Sequence, residues 1–113
     1  MNISTRTVGA VKIVRLSGRL RLGEDTEQFR AHIRGMLQSG SKKILLNMSN
    51  LDQIDSSGVG ELVRAYASVR AQNGQLKLWN LTERLHDLLN VTKLLTVFES
   101  FDDEQSAIQS FAD

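Results

Sequence analysis

Apolar and polar positions follow two different periods along this 113-residue chain, and the periods change in a regular order. Runs rich in β-branched or consecutive apolar residues are typical of strands, whereas apolar residues three and four apart are typical of amphipathic helices. The pattern predicts strands over 3–8, 11–16, 42–48 and 75–80, with a short last strand at Val97-Phe98. Four helices are expected, one in each of the three intervals between the strands that follow 11–16 and one at the end of the chain.

Capping residues and apolar stripes define the four predicted helices. Asp25, followed by Gln28, resembles a capping box at the start of the first helix, and Gly40 suits its stop. Thr82 is expected to cap the third helix, and Asp102 or Asp103 the last. The expected buried stripes are Phe29, Ile33, Met36 and Leu37 in the first helix, Val59, Leu62, Val63, Tyr66 and Ala67 in the second, Leu85, Leu88 and Leu89 in the third, and Ala107, Ile108 and Phe111 in the last.

The order of these elements predicts an α/β fold. Strands that alternate with helices imply βαβ crossovers and a mostly parallel mixed sheet with helices packed against it. Gly9-Ala10 suits a tight hairpin between the first two strands, which would add an antiparallel edge at the N-terminus. No repeat, linker or low-complexity segment interrupts the pattern, so we expect a single domain over residues 1–113.

Composition narrows the class of protein. The chain has 14 basic and 13 acidic residues, and this balance argues against direct binding to nucleic acid. It has no apolar run long enough to span a bilayer and no signal-peptide core at its start, so a cytoplasmic protein without a membrane partner is expected. It has no cysteine. We expect no metal and no cofactor, since His32 and His86 are interpreted as surface residues and the acidic run at 102–104 lacks calcium-loop spacing.

The segment Asp55-Ser56-Ser57-Gly58-Val59-Gly60 joins a predicted strand to a predicted helix. Free backbone N–H groups and the helix dipole at such a point favour an anion, and a phosphate on a serine would add a charge of about −1.5 to −2. A helix cap is the plainer interpretation of Asp55 and Ser56. Gly58 and Gly60 each cost about 1 kcal/mol in a helix relative to alanine. Close packing or a partner that approaches the backbone would explain them equally well.

Catalysis finds little support in this segment. Ile54 and Gly58 flank Ser56 two residues away on either side, so the nucleophile elbow Gly-x-Ser-x-Gly is not matched. A dinucleotide loop would need a third glycine, and a phosphate loop would need a following lysine. We therefore expect a binding protein and not an enzyme.

Across nearly its whole length the sequence resembles a STAS domain, and within that group the stand-alone bacterial anti-sigma factor antagonists, also called anti-anti-sigma factors. The Asp-Ser-Ser-Gly-x-Gly motif in its frame of strands is the most specific part of the resemblance. The segments that carry it are 14–18, 43–47, 54–60, 74–82, Leu88-Leu89, Thr92-Lys93-Leu94 and Val97-Phe98.

The resemblance implies a phosphorylation switch at Ser56. In that family the serine after the aspartate is phosphorylated by a partner kinase that is also the anti-sigma factor. The unmodified protein binds this kinase and frees a sigma factor, and a metal-dependent serine phosphatase restores the unmodified form. The expected phosphosite motif is Asp55, Ser56, Ser57, Gly58 and Gly60, and the expected partner-binding residues are Arg19, Arg21, Ile54, Asp55, Ser57 and Val59.

Three points stay open at this stage. The family commonly has an acidic pair where this chain has Arg19 and Arg21, which raises the hypothesis that an arginine pairs with the phosphate. Val59 and Trp79 are candidate exposed contacts, although a helix could equally cover Trp79. The alternative function is a STAS scaffold or a small-anion or nucleotide sensor without phosphorylation of Ser56, and the oligomeric state is open between monomer and weak dimer.

Overall fold

The structure is a computed structural model that describes residues 1–111 of the chain. The bounds of the elements, in chain order, are β1 Asn2–Val8, β2 Val11–Leu20, α1 Glu24–Gln38, β3 Lys43–Ile54, α2 Ser56–Ala71, β4 Gln75–Trp79, α3 Glu83–Val91, a 3₁₀ turn at Leu94–Thr96, β5 Ser100–Phe101 and α4 Glu104–Gln109. The predicted order of strands and helices is therefore confirmed.

The strands form one sheet in the order β1-β2-β3-β4-β5. β1 and β2 are antiparallel and are joined at Val8 and Val11 by a two-residue turn, as the Gly9-Ala10 pair predicts. The β2–β3, β3–β4 and β4–β5 pairs are parallel. The mixed sheet with an antiparallel N-terminal edge agrees with the sequence prediction.

Helices cover the two faces of the sheet unequally. One face packs against α1, α2 and α3 and forms the main core around Leu46, Phe29 and Leu62. The other face packs against α4 alone, where Ala107 and Phe111 contact a smaller cluster. Alternation along β3 sends Ile44 and Leu46 into the main core and Leu45 into the small one. The start of α2 consequently lies on the three-helix face.

The predicted start of α1 near Asp25 is confirmed to within one residue, but the predicted cap is wrong. The helix begins at Glu24, and the Thr26 hydroxyl accepts a hydrogen bond from the Gly23 N–H at 3.1 Å and donates one to the Gly23 carbonyl at 3.0 Å. Asp25 lies inside the first turn instead, where its carboxylate accepts the Arg21 N–H. A buried threonine therefore closes the helix start in place of the predicted Asp25–Gln28 box.

The predicted last strand at Val97-Phe98 is also wrong. Phe98 is buried and its ring lies edge-on to Tyr66, with 5.4 Å between the centroids. The strand follows at Ser100–Phe101, and its pairing with β4 is bracketed by a hydrogen bond from Leu78 N–H to the Glu99 carbonyl. Phe98 therefore closes the core instead of joining the sheet, while Val97 is exposed.

The structure also tests three predictions about the burial of single residues. Ala67 is exposed, and Ala65 and Val69 occupy the buried stripe of α2 instead. His32 is half-buried, with its Nε2 2.9 Å from the Thr5 hydroxyl, so it is not a plain surface residue. Trp79 is half-buried and packs against the α4 cluster. Of the two interpretations, an exposed contact or a side chain covered by a helix, the second is therefore correct.

Candidate protein-docking site at the start of helix α2

The C-terminal ends of β2 and β3 bring two loops together at one edge of the sheet. Leu20 pairs with Ile54 in the parallel register, and the Asp55 N–H donates to the Leu20 carbonyl at 3.4 Å. Parallel strands end at the same sheet edge, and in open α/β sheets this edge is the usual place for a binding site. The segment from 19 to 23 therefore lies beside the 55–60 motif.

Asp55 caps α2 and also binds the neighbouring loop. One carboxylate oxygen accepts the Gly58 N–H at 2.8 Å, which is the N-cap bond that the sequence allowed. The other accepts the Leu22 N–H at 3.0 Å. One carboxylate thus fixes the β2–α1 loop to the first turn of α2.

These hydrogen bonds stabilise the ionised form of Asp55. The Leu22 and Gly58 amides lower the pKa of its carboxyl group below the ordinary value of 3.8, and burial opposes them weakly. A negative charge therefore stands at the helix N-terminus at neutral pH. The Asp55 carboxylate thus occupies the position at the helix N-terminus that an external anion would otherwise take.

Ser56 is the first residue of α2, and it is exposed. Within residues 1–111 no hydrogen bond holds its hydroxyl group. Ser57, the next residue, is half-buried and its N–H faces the Asp55 carboxylate. Of the two adjacent serines, Ser56 presents the accessible nucleophile.

The two motif glycines have different surroundings. A Cβ atom at Gly58 would lie 2.3 Å from the Leu20 carbonyl oxygen and 2.7 Å from Cγ1 of Ile54, so close packing against the strand ends requires glycine there. A Cβ at Gly60 would meet nothing within 4 Å. Gly60 lies one turn after Ser56 and leaves the surface beside that hydroxyl bare. Packing therefore explains Gly58 and does not explain Gly60.

The expectation that Val59 is an exposed contact is wrong. Only 7% of Val59 is accessible, because the side chain packs into the main core from the first turn of α2. Ile54 is half-buried and packs against the same core from the end of β3. Both residues shape the site from beneath, and the accessible residues of the motif are polar.

Arg19 and Arg21 lie where the sequence placed them, at the edge next to Ser56. Both are exposed, Arg19 as the penultimate residue of β2 and Arg21 just after the strand. Arg21 Nε is 3.9 Å from the Asp25 carboxylate, while Arg19 makes no ion pair with another described residue.

Leu22 is a candidate contact that sequence reasoning missed. Its side chain is 76% exposed, although its N–H is bound by Asp55. Its N–H bond to Asp55 places Leu22 on the same surface as Ser56, where a partner bound at the motif would reach it. The signal in the sequence was the lone leucine between Arg21 and Gly23, where no helix or strand pattern required an apolar residue.

The described part of the chain contains neither a membrane-spanning helix nor a cluster of metal ligands. No helix within residues 1–111 is both long and apolar enough to traverse a bilayer. Among the same residues, no three His, Cys, Asp or Glu side chains gather closely enough to hold a metal ion.

Comparison with known proteins agrees with this fold. The sequence profile of the STAS domain matches residues 2–107, so the chain belongs to the STAS domain family. The anti-sigma F factor antagonist of Paenibacillus polymyxa is 28% identical to this chain over 99 residues, which are 87% of this chain and 84% of the relative.

Solved structures of other proteins share this fold. The phosphorylated form of the Bacillus cell fate determinant SpoIIAA superposes with a TM-score of 0.75 at 25% identity, covering 98% of this chain and all of the other. An anti-sigma-factor antagonist (STAS) domain protein from Planctomyces limnophilus superposes with a TM-score of 0.83 at 21% identity, over 98% of each chain. The second likeness shows the fold alone.

Proposed function

We propose that this protein is an anti-sigma factor antagonist whose binding to an anti-sigma serine kinase is controlled by phosphorylation of Ser56. The unmodified protein binds the kinase and releases a sigma factor. Phosphorylation of Ser56 ends this binding, and a metal-dependent serine phosphatase restores it. The nucleotide belongs to the kinase, and this chain acts as a binding module in the cytoplasm.

One observation carries the proposal: Ser56 is exposed at the first position of α2, directly after the capping Asp55. A kinase can reach its hydroxyl without unfolding the helix, because the cap bond is made by Asp55 and not by Ser56. The bare surface at Gly60 leaves room beside the serine for a partner. The relatives named as anti-sigma factor antagonists support the same assignment.

The effect of phosphorylation follows from charge. A phosphate on Ser56 adds about −1.5 to −2 next to the ionised Asp55, so the docking surface becomes strongly negative. Docking would then desolvate this charge, and without a counter-charge on the partner the complex is weakened. Since Asp55 and not Ser56 makes the cap bond, the switch needs no refolding of this chain.

The alternative of a free-anion or nucleotide sensor at the same helix start is disfavoured by Asp55. Its carboxylate already accepts the Gly58 N–H and would repel an incoming anion. A covalently attached phosphate needs no such affinity. Calorimetric titration of the isolated protein with phosphate, sulfate and purine nucleotides tests this alternative, and saturable micromolar binding would favour the sensor.

The switch is tested by titrating the anti-sigma serine kinase of the same genome with three forms of the protein. We expect Ser56→Ala to bind like the wild type and Ser56→Asp to bind about 100-fold more weakly, because the added carboxylate is desolvated in the complex. Ser100→Asp, at an exposed serine of β5, is the matched control and should leave the affinity unchanged.

Mass spectrometry after incubation with kinase and ATP locates the phosphate. We expect it on Ser56 in the wild type and in Ser57→Ala, and nowhere in Ser56→Ala. Unchanged affinity of both Ser56 variants for the kinase would contradict the proposed switch.

A further inference from the structure

A cleft of about 400 Å³ lies between α1 and α2, away from the end of the sheet that carries Ser56. Phe29 and Ile33 line it from α1 and Ala65 lines it from α2, and all three belong to the main core. The volume is within the range of sites that hold small organic molecules, which are mostly apolar with a few polar groups.

Arginines dominate the polar rim of this cleft. Arg30 and Arg34 reach it from α1 and Arg64 from α2, whereas Glu61 is the acidic residue among the lining side chains. Three guanidinium groups against one carboxylate leave the rim with an excess of positive charge.

Glu61 is already occupied by two of these arginines. Only 6% of Glu61 is accessible, and its carboxylate accepts hydrogen bonds from Arg30, with Nε 3.3 Å from Oε2. Arg64 Nε stands 4.0 Å from the other oxygen. The hydrogen bond from Arg30 lowers the pKa of the Glu61 carboxyl, so the pair is ionised at neutral pH.

Arg34 is the cation of the rim that remains available. It is exposed, and it forms no ion pair with any of residues 1–111. Glu27 adds a second negative charge near Arg30 and Arg64 stands beside Glu61, so the rim charge without an ion pair among residues 1–111 is that of Arg34. A planar guanidinium is suited to bidentate contact with a carboxylate, sulfonate or phosphate.

We propose that this cleft binds a small amphipathic anion. Its apolar body would lie on Leu37, the half-buried apolar side chain of the lining, above the buried Phe29, Ile33 and Ala65, and its single acidic group would pair with Arg34 at the rim. The charge of the rim selects an anion, and the apolar floor selects an organic one. This site requires no phosphorylation of Ser56 and is distinct from the start of α2.

Two matched fluorescent probes test the proposal with the whole protein. One is 8-anilinonaphthalene-1-sulfonate, an aromatic anion, and the other is N-phenyl-1-naphthylamine, which has the same apolar body without the sulfonate. We expect saturable one-to-one binding of the sulfonate probe and weaker binding of the neutral probe. No saturable binding of the sulfonate by protein with native circular dichroism would overturn the proposal.

Variants then assign the binding to the cleft. We expect Arg34→Gln to weaken the sulfonate probe about fivefold, the loss of one partly exposed ion pair, while the neutral probe is unaffected. Arg34→Lys should restore part of the affinity. Arg84→Gln, which removes an exposed arginine of α3 that does not line the cleft, is the control and should change neither probe.

Two further variants separate the cleft from other surfaces. Ser68→Phe would fill the cleft from α2 and should abolish binding of both probes, with thermal unfolding as the check of the native state. Ser56→Asp adds a negative charge at the start of α2 and should leave the probes unaffected. Undiminished binding by Ser68→Phe, or loss of the sulfonate probe in Ser56→Asp, would place the site elsewhere and refute the inference.

Discussion

Two glycines in the first two turns of α2 perform different tasks although they are only two residues apart. Gly58 lies against the Leu20 carbonyl, where no Cβ fits. Gly60 faces open space and lowers the stability of its helix without any gain in packing. A residue that weakens the fold and touches nothing is more easily explained by contact with a partner than by folding.

Alanine substitution should therefore have opposite effects at the two positions. We expect Gly60→Ala to raise the free energy of unfolding by about 0.5–1 kcal/mol, the helix propensity difference. Gly58→Ala should lower it by about 1–3 kcal/mol, because the strand end must move to admit the methyl group. Urea denaturation measures both. A destabilised Gly60→Ala would contradict the role given to this glycine.

At this scale the sequence predicted the chemistry of the site better than its packing. Asp55 as cap and the position of Ser56 at the helix start followed from local rules. For Val59 the helical stripe predicted its burial, and only its assignment as an exposed contact was wrong. The exposure of Leu22 did not follow from local rules, because it depends on how closely the ends of β2 and β3 approach α2. Such distances between segments far apart in the chain are not encoded in a local pattern.

At the scale of elements, the loop from β2 to α1 is joined to the start of α2 through the Asp55 carboxylate. Arg19 and Arg21 therefore occupy the same sheet edge as the serine. This adjacency meets the condition under which an arginine could bind a phosphate on Ser56.

Replacing Arg19 and Arg21 together with alanine should destabilise the phosphorylated protein more than the unmodified one. The unmodified protein loses at most the 3.9 Å contact of Arg21 with Asp25, whereas the phosphoprotein also loses the proposed phosphate pairs, together worth about 1–2 kcal/mol at an exposed site. Thermal unfolding of both forms measures the difference. Equal shifts in melting temperature would rule out the pairing.

Element order was predictable because strand and helix periods are distinct, but the cap of α1 and the position of the last strand were not. The start of α1 depends on the buried Thr26 and not on the acidic residue that looked like a cap. Val97-Phe98 looked like a strand because a short apolar pair can belong either to a sheet or to a loop that packs on the core. The contact of the Phe98 ring with Tyr66 shows that Phe98 packs on the core.

At the scale of the whole molecule, ionised groups oppose unfolding at neutral pH and should make the protein sensitive to acid. Hydrogen bonds lower the pKa of Asp55, Glu61 and Asp103 in the folded state. Burial lowers the pKa of His32. In each case the unfolded chain binds protons more readily, so protonation favours unfolding.

Stability should accordingly fall in two stages as the pH decreases. The first stage begins near 6.5, the ordinary pKa of histidine, and the second near 4.5 to 3.8, the ordinary values of Glu61 and Asp55. The carboxylate contribution is present above those values and is lost as the pH falls through the lower folded pKa values. The urea midpoint measured from pH 8 to 3 tests this course.

Matched variants assign the second stage. Asp55→Asn should lower the midpoint at pH 7 and flatten its decline below pH 4, because the group that titrates is gone. Asp52→Asn is the control, since Asp52 is exposed and forms no side-chain hydrogen bond or ion pair within residues 1–111. An acid profile of Asp55→Asn that parallels the wild type would contradict the role given to this carboxylate.

The single tryptophan of the chain is located on the α4 side of the sheet, with its indole N–H 3.3 Å from the Asp102 carbonyl. Ser56 and the arginine-rimmed cleft are both on the three-helix side. Intrinsic emission of the indole is therefore a reporter for the small core beneath α4. A spectral response to a partner bound at Ser56 would mean that the perturbation has crossed the full thickness of the sheet.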